Sequence, residues 1–160
     1  MVLVSELTYE GSFNVGKPAG EVMEFIRDLG RVAPCIPNVV SHSVEGRRGR
    51  VKFRVDLGDE VPIAELRRVT ADTEIEVTPI EGGASYIISG RAAGGSVKVE
   101  LTLTVKQGVG GSTVEWRAKA SLSRALAMVR RFIDLDSMVR RIAQDTVSGI
   151  VKCMAGSSQP

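Results

Sequence analysis

Hydrophobic and polar residues alternate along most of the chain, and this alternation predicts a β-sheet. A period of two is typical of strands that have one covered and one solvated face. The clearest example is residues 97–105, where Val and Leu alternate with Lys, Glu and Thr. The same pattern recurs in residues 6–15, 40–44, 51–57, 73–77, 84–91 and 114–120. We therefore expect an antiparallel sheet of about seven strands with a single covered face.

Two short helices are expected between the first strand and the rest of the sheet. Pro18 suits the first turn of a helix, and Pro34 and Pro37 would end a second helical segment. Residues 61–69 also have the composition of a strand. The sequence does not decide which side chains of this strand face the core, because Ile63 and Leu66 cannot point to one side without a bulge.

The C-terminal part of the chain has the period of a helix. Its apolar residues recur at three- and four-residue steps and would share one face: Met128, Phe132, Leu135, Val139, Ile142, Thr146 and Ile150. No glycine interrupts residues 120–148, and no proline follows Pro79 until the final residue. We expect one long helix from Ser121 to about Met154, capped by Ser121 or Ser123. Charge pairs four residues apart would support it, at Arg130/Asp134, Asp136/Arg140 and Arg141/Asp145.

Composition narrows the class of protein. The chain has 160 residues, 43% hydrophobic and 25% charged, with a net charge of +2. These values predict one globular domain (1–155) with a short polar tail (156–160), and the charge is too small to indicate a nucleic-acid partner. No run approaches the ~18 apolar residues of a transmembrane helix, and the N terminus does not have the pattern of a signal peptide. We therefore expect a cytoplasmic protein.

No motif predicts catalysis or a bound cofactor. The glycine clusters match neither the GxGxxG nor the P-loop arrangement of nucleotide-binding sites. No nucleophile has an identifiable general base. Cys35 and Cys153 match no metal spacing and no CxxC motif. For these cysteines, reduced thiols are favoured over a disulfide. The expectation is no cofactor, no metal and no enzymatic activity.

One sheet face and one long helix imply an α+β fold in which the helix covers the sheet. A sheet that grips a helix commonly leaves ligand space between them. The most specific stretch for identification is Ala33-Pro34-Cys35-Ile36-Pro37, followed by Asn38. The Pro18 helix start, residues 91–96 and residues 131–134 support the same identification.

On these residues the chain resembles the helix-grip (START-like, Bet v 1-like, SRPBCC) superfamily. Within it, the chain is similar to the CoxG family, the G subunit of carbon monoxide dehydrogenase, whose members carry a similar Cys-Ile-Pro-Gly. Asn38 stands in the place of that glycine, and asparagine also tolerates left-handed backbone angles. The resemblance implies a non-catalytic accessory protein with an apolar cavity, associated with molybdenum hydroxylases. Its ligand would be a lipophilic small molecule of the quinone, fatty acid or isoprenoid type.

Nine residues are candidates for the cavity. Six apolar ones are first of all core residues and together the best guess at its wall: Phe53, Trp116, Met128, Phe132, Leu135 and Val139. His42 shares the parity of the inward residues and would supply a polar group, unless its ring reaches water at a strand end. Asp136 and Arg140 would orient a polar head, unless they form a surface pair.

Three functions therefore compete. The first is binding of a lipophilic small molecule, as carrier or accessory factor. The second is an enzyme of the cyclase/aromatase or hydrolase kind on the same fold, which needs titratable groups converging in the cavity. The third is a protein-interaction module with a filled core, and an exposed cavity mouth would equally suit a homodimer.

Overall fold

The computed structural model describes residues 3–56, 68–92, 94–129 and 134–156. In chain order the elements are β1 Leu3–Val15, α1 Ala19–Ile26, α2 Leu29–Val32, a 3₁₀ turn Ala33–Cys35, β2 Val39–Glu45, β3 Arg48–Asp56, β4 Arg68–Ile80, β5 Gly83–Ala92, β6 Gly95–Gly108, β7 Gly111–Ser123, α3 Arg124–Val129 and α4 Leu135–Gly156. The predicted α+β class is confirmed.

The described strands form one antiparallel seven-stranded sheet in the order β1-β7-β6-β5-β4-β3-β2. Strands β2 to β7 follow one another as a meander, and β1 returns beside β7. The sheet is open, because β1 and β2 are its two edges. The predicted sheet of about seven strands is therefore confirmed.

Alternation along the strands sorts the side chains into two faces. In β4, from Arg68 to Thr78, every second residue is buried and those between are exposed. The face that contains Val69, Ile75 and Val77 is called the inner face here, and the opposite one the outer face. Period-two patterning in the sequence thus defines the covered side of the sheet.

Helices α1 and α2 close one end of the inner face. Their apolar side chains are almost fully buried: Val22, Phe25, Ile26, Leu29 and Val32. Arg27 fixes this end to the β4–β5 hairpin, since its Nε donates to the Gly83 carbonyl (3.0 Å) and Nη2 to the Ile80 carbonyl (2.8 Å). The Tyr86 hydroxyl donates to the Ile26 carbonyl from the sheet side.

The prediction of one helix from Ser121 to Met154 is wrong at its start. Strand β7 continues to Ser123, because the alternation of buried Ala120 and Leu122 with Ser121 extends the strand pattern past the predicted boundary. The Ser123 Oγ accepts from the Ser96 N–H (2.9 Å) and ties β7 to β6. Two described helices, α3 and α4, replace the single one.

Asp134 is the capping residue of α4. Its Oδ1 accepts the Ser137 N–H (3.1 Å), and its Oδ2 accepts the Ser137 hydroxyl (2.7 Å). These bonds satisfy a first-turn amide and lower the pKa of Asp134. The other member of the predicted Arg130/Asp134 pair, Arg130, lies outside the described residues.

Two further predictions about the chain change. Most of the predicted 61–69 strand lies outside the described residues, and its last two residues, Arg68 and Val69, begin the continuous strand β4. The preference for two reduced thiols is also wrong: Cys35 and Cys153 form a disulfide with Cα atoms 5.9 Å apart. The pairing could not be predicted from spacing, because 118 positions separate the two residues.

The disulfide joins the C-terminal half of α4 to the segment after α2. Gly149 lies on the same helix face one turn earlier, and a Cβ atom there would be 2.6 Å from the Cys35 carbonyl oxygen. Asn38 ends this segment with a φ of 64°, which agrees with the left-handed geometry anticipated for its position. Its carbonyl accepts the Arg54 N–H (3.0 Å) and so links the segment to β3.

Candidate functional site

Part of the inner face is apolar but incompletely covered. Six of its side chains are only half-buried: Leu7, Phe53, Ile88, Val97, Val99 and Leu101. Leu7, Val99 and Ile88 lie in one row across the sheet, since Leu7 and Val99 both pair with Ala120 and Val99 pairs with Ile88. This row lies away from the end that α1 and α2 close. The inner face is therefore packed at one end and accessible at the other.

Helices α3 and α4 lie over the accessible end. α3 contacts β1, β6 and β7, and α4 contacts β1 and the 3₁₀ turn. On α4, Ile150 and Met154 are buried, while Ala143 and Val147, nearer its N terminus, are only partly buried. The helix is thus packed tightly near its C terminus and less tightly toward its N terminus.

Two polar groups on the inner face already have partners within the protein. The buried Thr73 hydroxyl donates to the Val51 carbonyl (2.7 Å). Burial raises the pKa of Tyr86, with a smaller contribution from Asp28, so its hydroxyl stays protonated and bonded to Ile26. Both groups therefore act as structural hydrogen-bond donors rather than as groups poised for proton transfer.

A small cleft opens where α4 meets the sheet. Its volume is about 130 Å³, and its walls are residues Ile36, Pro37, Asn38, Phe53 and Arg54 on one side and Arg141, Ile142, Asp145 and Thr146 on the other. Phe53 belongs both to this cleft and to the half-buried set on the inner face. We call it the α4 cleft.

The outer face is polar and extensively ion-paired. Outward cations of β3 pair with outward acids of β4 in successive rungs: Arg48–Glu76 (3.4 Å), Arg50–Glu74 (2.9 Å) and Lys52–Asp72 (3.6 Å). A broad depression of about 930 Å³ lies over this region and includes His42 and Arg91. Exposed pairs of this kind contribute little stability each, and they fit a solvated face.

Three predicted site residues have described side chains in the sheet. Phe53 is half-buried and lines the α4 cleft. Trp116 is buried, and its indole lies across Gly11, where a Cβ atom would be 2.8 Å from Nε1. His42 is exposed on the edge strand β2, opposite Val51. The structure therefore brings Phe53 to a cleft, Trp116 into the core and His42 to the sheet edge.

The predicted residues of the helical region are less completely described. Met128 is 53% exposed, so its expected core packing is wrong, because α3 presents this side chain to solvent. Arg140 is exposed, with its guanidinium 5.8 Å from the centre of the Tyr9 ring. Phe132 lies outside the described residues, as do the side chains of Leu135, Asp136 and Val139. Within α4, Arg141 and Asp145 are exposed, and the ion pair predicted between them is absent from the described part of the chain.

Sequence reasoning missed the residues that make the inner face accessible. Ile88, Val97, Val99 and Leu101 were predicted as ordinary inward strand residues. Period-two patterning identifies which face a side chain is on, but not how completely a helix covers it. The one signal in the sequence was the 4% aromatic content, which leaves few large side chains to fill the interior.

Two kinds of feature are absent from the described residues. No group of three or more His, Cys, Asp or Glu side chains there could hold a metal ion. Among the helices that the structure describes, none combines the length and apolar character needed to cross a bilayer.

Comparison with known proteins identifies the fold. The model of the CoxG family, described as the G subunit of carbon monoxide dehydrogenase, matches residues 11–155. A comparison with curated proteins gave no significant match.

Solved structures with the same fold are distant in sequence. A conserved protein from Geobacillus kaustophilus has a TM-score of 0.71 at 20% identity, covering 94% of this chain and 97% of the other. An aromatase/cyclase from Streptomyces sp. R1128 has a TM-score of 0.65 at 14% identity, covering 97% of each chain. A START superfamily protein from Mycobacterium smegmatis has a TM-score of 0.53 at 12% identity, covering 94% and 95%. The predicted helix-grip fold is therefore confirmed.

Proposed function

The chain belongs to the CoxG family of carbon monoxide dehydrogenase proteins, and we propose that it binds a lipophilic small molecule between its sheet and α4. In this proposal the protein is a non-catalytic carrier or accessory factor. The ligand is of the quinone, fatty acid or isoprenoid type. The family's name associates it with carbon monoxide dehydrogenase, and the proposed partner is accordingly a molybdenum hydroxylase.

The observation that carries the proposal is the half-buried apolar set on the inner face. In a filled core these positions would be buried like Ala118 and Ala120, their neighbours on β7, which are 6% and 2% exposed. Val99 and Leu101 pair directly with these alanines, yet stay half-buried. Accessible apolar surface inside a fold is typical of ligand pockets.

Apolar burial would supply most of the affinity. Each 100 Å² of this surface that a ligand covers contributes roughly 2.5 kcal/mol, before the entropic costs of association are subtracted. A ligand without an apolar body would gain no free energy from apolar burial. The proposed ligand is therefore lipophilic.

The bonded inner-face hydroxyls favour binding over catalysis. Thr73 and Tyr86 donate to main-chain carbonyls, and a reaction would have to break those bonds. The aromatase/cyclase comparison concerns the fold alone. An enzyme of the cyclase/aromatase or hydrolase kind is therefore the alternative. Turnover of a bound substrate would distinguish it from a carrier.

Localisation in the cytoplasm is also part of the proposal, and the disulfide bears on it. Stable disulfides are rare in most cytosolic proteins and persist in oxidising compartments. Cys35–Cys153 therefore argues against a cytoplasmic location, and a protein in the cytoplasm would have this pair reduced.

A matched pair of substitutions tests the binding site. Ile88 and Ile87 are adjacent on β5 and point to opposite faces, because Ile88 pairs with Val99 and Ile87 with Glu100. Ile88→Trp would fill the inner space, whereas Ile87→Trp adds the same bulk outside. Calorimetric titration with a panel of ubiquinone-1, decanoate and farnesol measures the effect.

Binding of at least one panel member that weakens tenfold or more in Ile88→Trp and stays unchanged in Ile87→Trp would support the proposal. Equal loss in both variants would place the ligand elsewhere. No binding to any member by the wild-type protein would favour the interaction module instead.

A further inference from the structure

The α4 cleft has the size of a head-group site rather than of a whole lipid site. Its volume of about 130 Å³ is below the roughly 300–1,000 Å³ of pockets that hold a whole drug-sized ligand. The apolar body of a lipophilic ligand would not fit within it. Because Phe53 lies in both the cleft and the half-buried inner-face set, a ligand could extend from one to the other past this side chain.

The cations of β3 on the outer face are ion-paired with described residues, except the one at the cleft. The outward cations Arg48, Arg50 and Lys52 each face an acid of β4. The next outward cation along β3 is Arg54, and the β4 residue opposite it is Thr70. Arg54 therefore interrupts the ladder and has no ion-pair partner in the described part of the chain; the next outward position on β3 is Asp56, opposite Arg68.

The opposite wall contributes a second cation. Arg141 on α4 lines the cleft with Asp145 one turn further on, and neither is in an ion pair with a described residue. Two arginines and one aspartate leave the cleft with a net charge of about +1. A guanidinium binds carboxylate oxygens well because its N–H groups match them in geometry.

The two walls are held in position before any ligand arrives. Cys35–Cys153 links them covalently and limits their separation, and Gly149 packs closely against the Cys35 carbonyl. The Arg54 N–H···O=C Asn38 bond (3.0 Å) fixes the sheet side. A preformed cleft lowers the ordering cost of binding.

We propose that the α4 cleft binds the anionic head of an acidic amphiphile, a carboxylate on an apolar chain, through Arg54 and Arg141. This inference rests on the proposed function, because the apolar chain would occupy the inner face. It narrows the ligand from lipophiles in general to acidic ones, with neutral lipophiles binding more weakly.

Decanoate and 1-decanol, which differ only in the head, test the inference by calorimetric titration at low ionic strength. An exposed ion pair contributes at most about 1 kcal/mol, or about fivefold, so two arginines predict at most roughly 25-fold tighter binding of decanoate. The preference should shrink as salt is added, since the Debye length falls to ~3 Å at 1 M.

Arg54→Gln/Arg141→Gln should abolish the preference and leave 1-decanol binding unchanged. Arg50→Gln is the matched control, because it removes a cation from the same face of β3 outside the cleft. It should keep the preference.

Equal wild-type affinity for decanoate and 1-decanol, or a preference that survives the double substitution, would overturn the inference and leave the proposed function standing. If the double variant binds neither decanoate nor 1-decanol and its unfolding midpoint is unchanged, the proposed head-group role of the two arginines is also overturned. If the wild-type protein binds neither probe nor any neutral lipophile, the proposed function itself fails.

Discussion

Substitution of Gly149 by alanine tests the close contact between α4 and the Cys35 segment. Gly149 is inside a helix, where replacing glycine by alanine normally stabilises a protein by about 0.5–1 kcal/mol. Here the new Cβ would be 2.6 Å from the Cys35 carbonyl oxygen and 3.2 Å from the Pro37 ring. Contact with backbone cannot be relieved by a side-chain rotation, and overpacking costs about 1–3 kcal/mol.

The clash should therefore outweigh the gain in helix propensity. We expect Gly149→Ala to lower the free energy of unfolding by about 1 kcal/mol, which is roughly 2–4 °C in Tm for a domain of this size. Urea unfolding at pH 7 followed by circular dichroism measures it. If the denaturant dependence (m) differs between variants, the free energies of unfolding are compared rather than the midpoints.

Gly20→Ala is the matched control. Gly20 lies in the first turn of α1, and a Cβ atom there meets nothing within 4 Å. This variant should be neutral or stabilised by up to about 0.5 kcal/mol. If Gly149→Ala is as stable as Gly20→Ala, α4 does not approach the Cys35 segment as described, and the preformed cleft loses its basis.

Three further predictions concern the links that hold the fold. Reduction of Cys35–Cys153, or Cys153→Ser, should lower the unfolding free energy by up to roughly 5 kcal/mol, the chain-entropy value for so long a loop, and a reductant should have no effect on Cys153→Ser. Tyr86→Phe should cost about 1–3 kcal/mol at pH 7, because the buried Ile26 carbonyl loses its donor. Since burial raises the pKa of Tyr86, the free energy of unfolding of the wild type should fall as pH rises above ~10. An equal fall in Tyr86→Phe would contradict this. Asp134→Ala should weaken α4 at neutral pH; because the pKa of Asp134 is lowered, the difference should vanish as pH falls through that pKa, and a constant difference would refute its capping role.

Much of the fold could be predicted because each strand carries its own pattern. In β4 the residues from Val69 to Val77 alternate without error, so the covered face was identifiable from sequence. The boundary between β7 and α3 was not, since Ser121 and Ser123 suit a helix cap and an edge of a strand equally well. The pairing that extends β7 to Ser123 depends on residues elsewhere in the chain, such as Leu3 of β1 and Ser96 of β6.

The candidate site was less predictable, for a geometric reason. Phe53 was identified as a wall residue from its hydrophobicity and parity alone. The accessibility of Val99, and the presence of Arg54 and Arg141 in one cleft, depend on how α4 crosses the sheet. A helix's own pattern specifies its apolar face, but not its distance from each strand. The Cys35–Cys153 disulfide, which ties α4 to the 3₁₀ turn, joins residues 118 positions apart.

Native mass spectrometry of the purified protein, followed by organic extraction and mass analysis of the extract, tests the central claim most directly. The account predicts a bound species with an apolar body that is lost in Ile88→Trp and retained in Ile87→Trp. A clean protein mass for the wild type, together with no change in mass or melting temperature on adding quinone, fatty acid and isoprenoid probes, would contradict it.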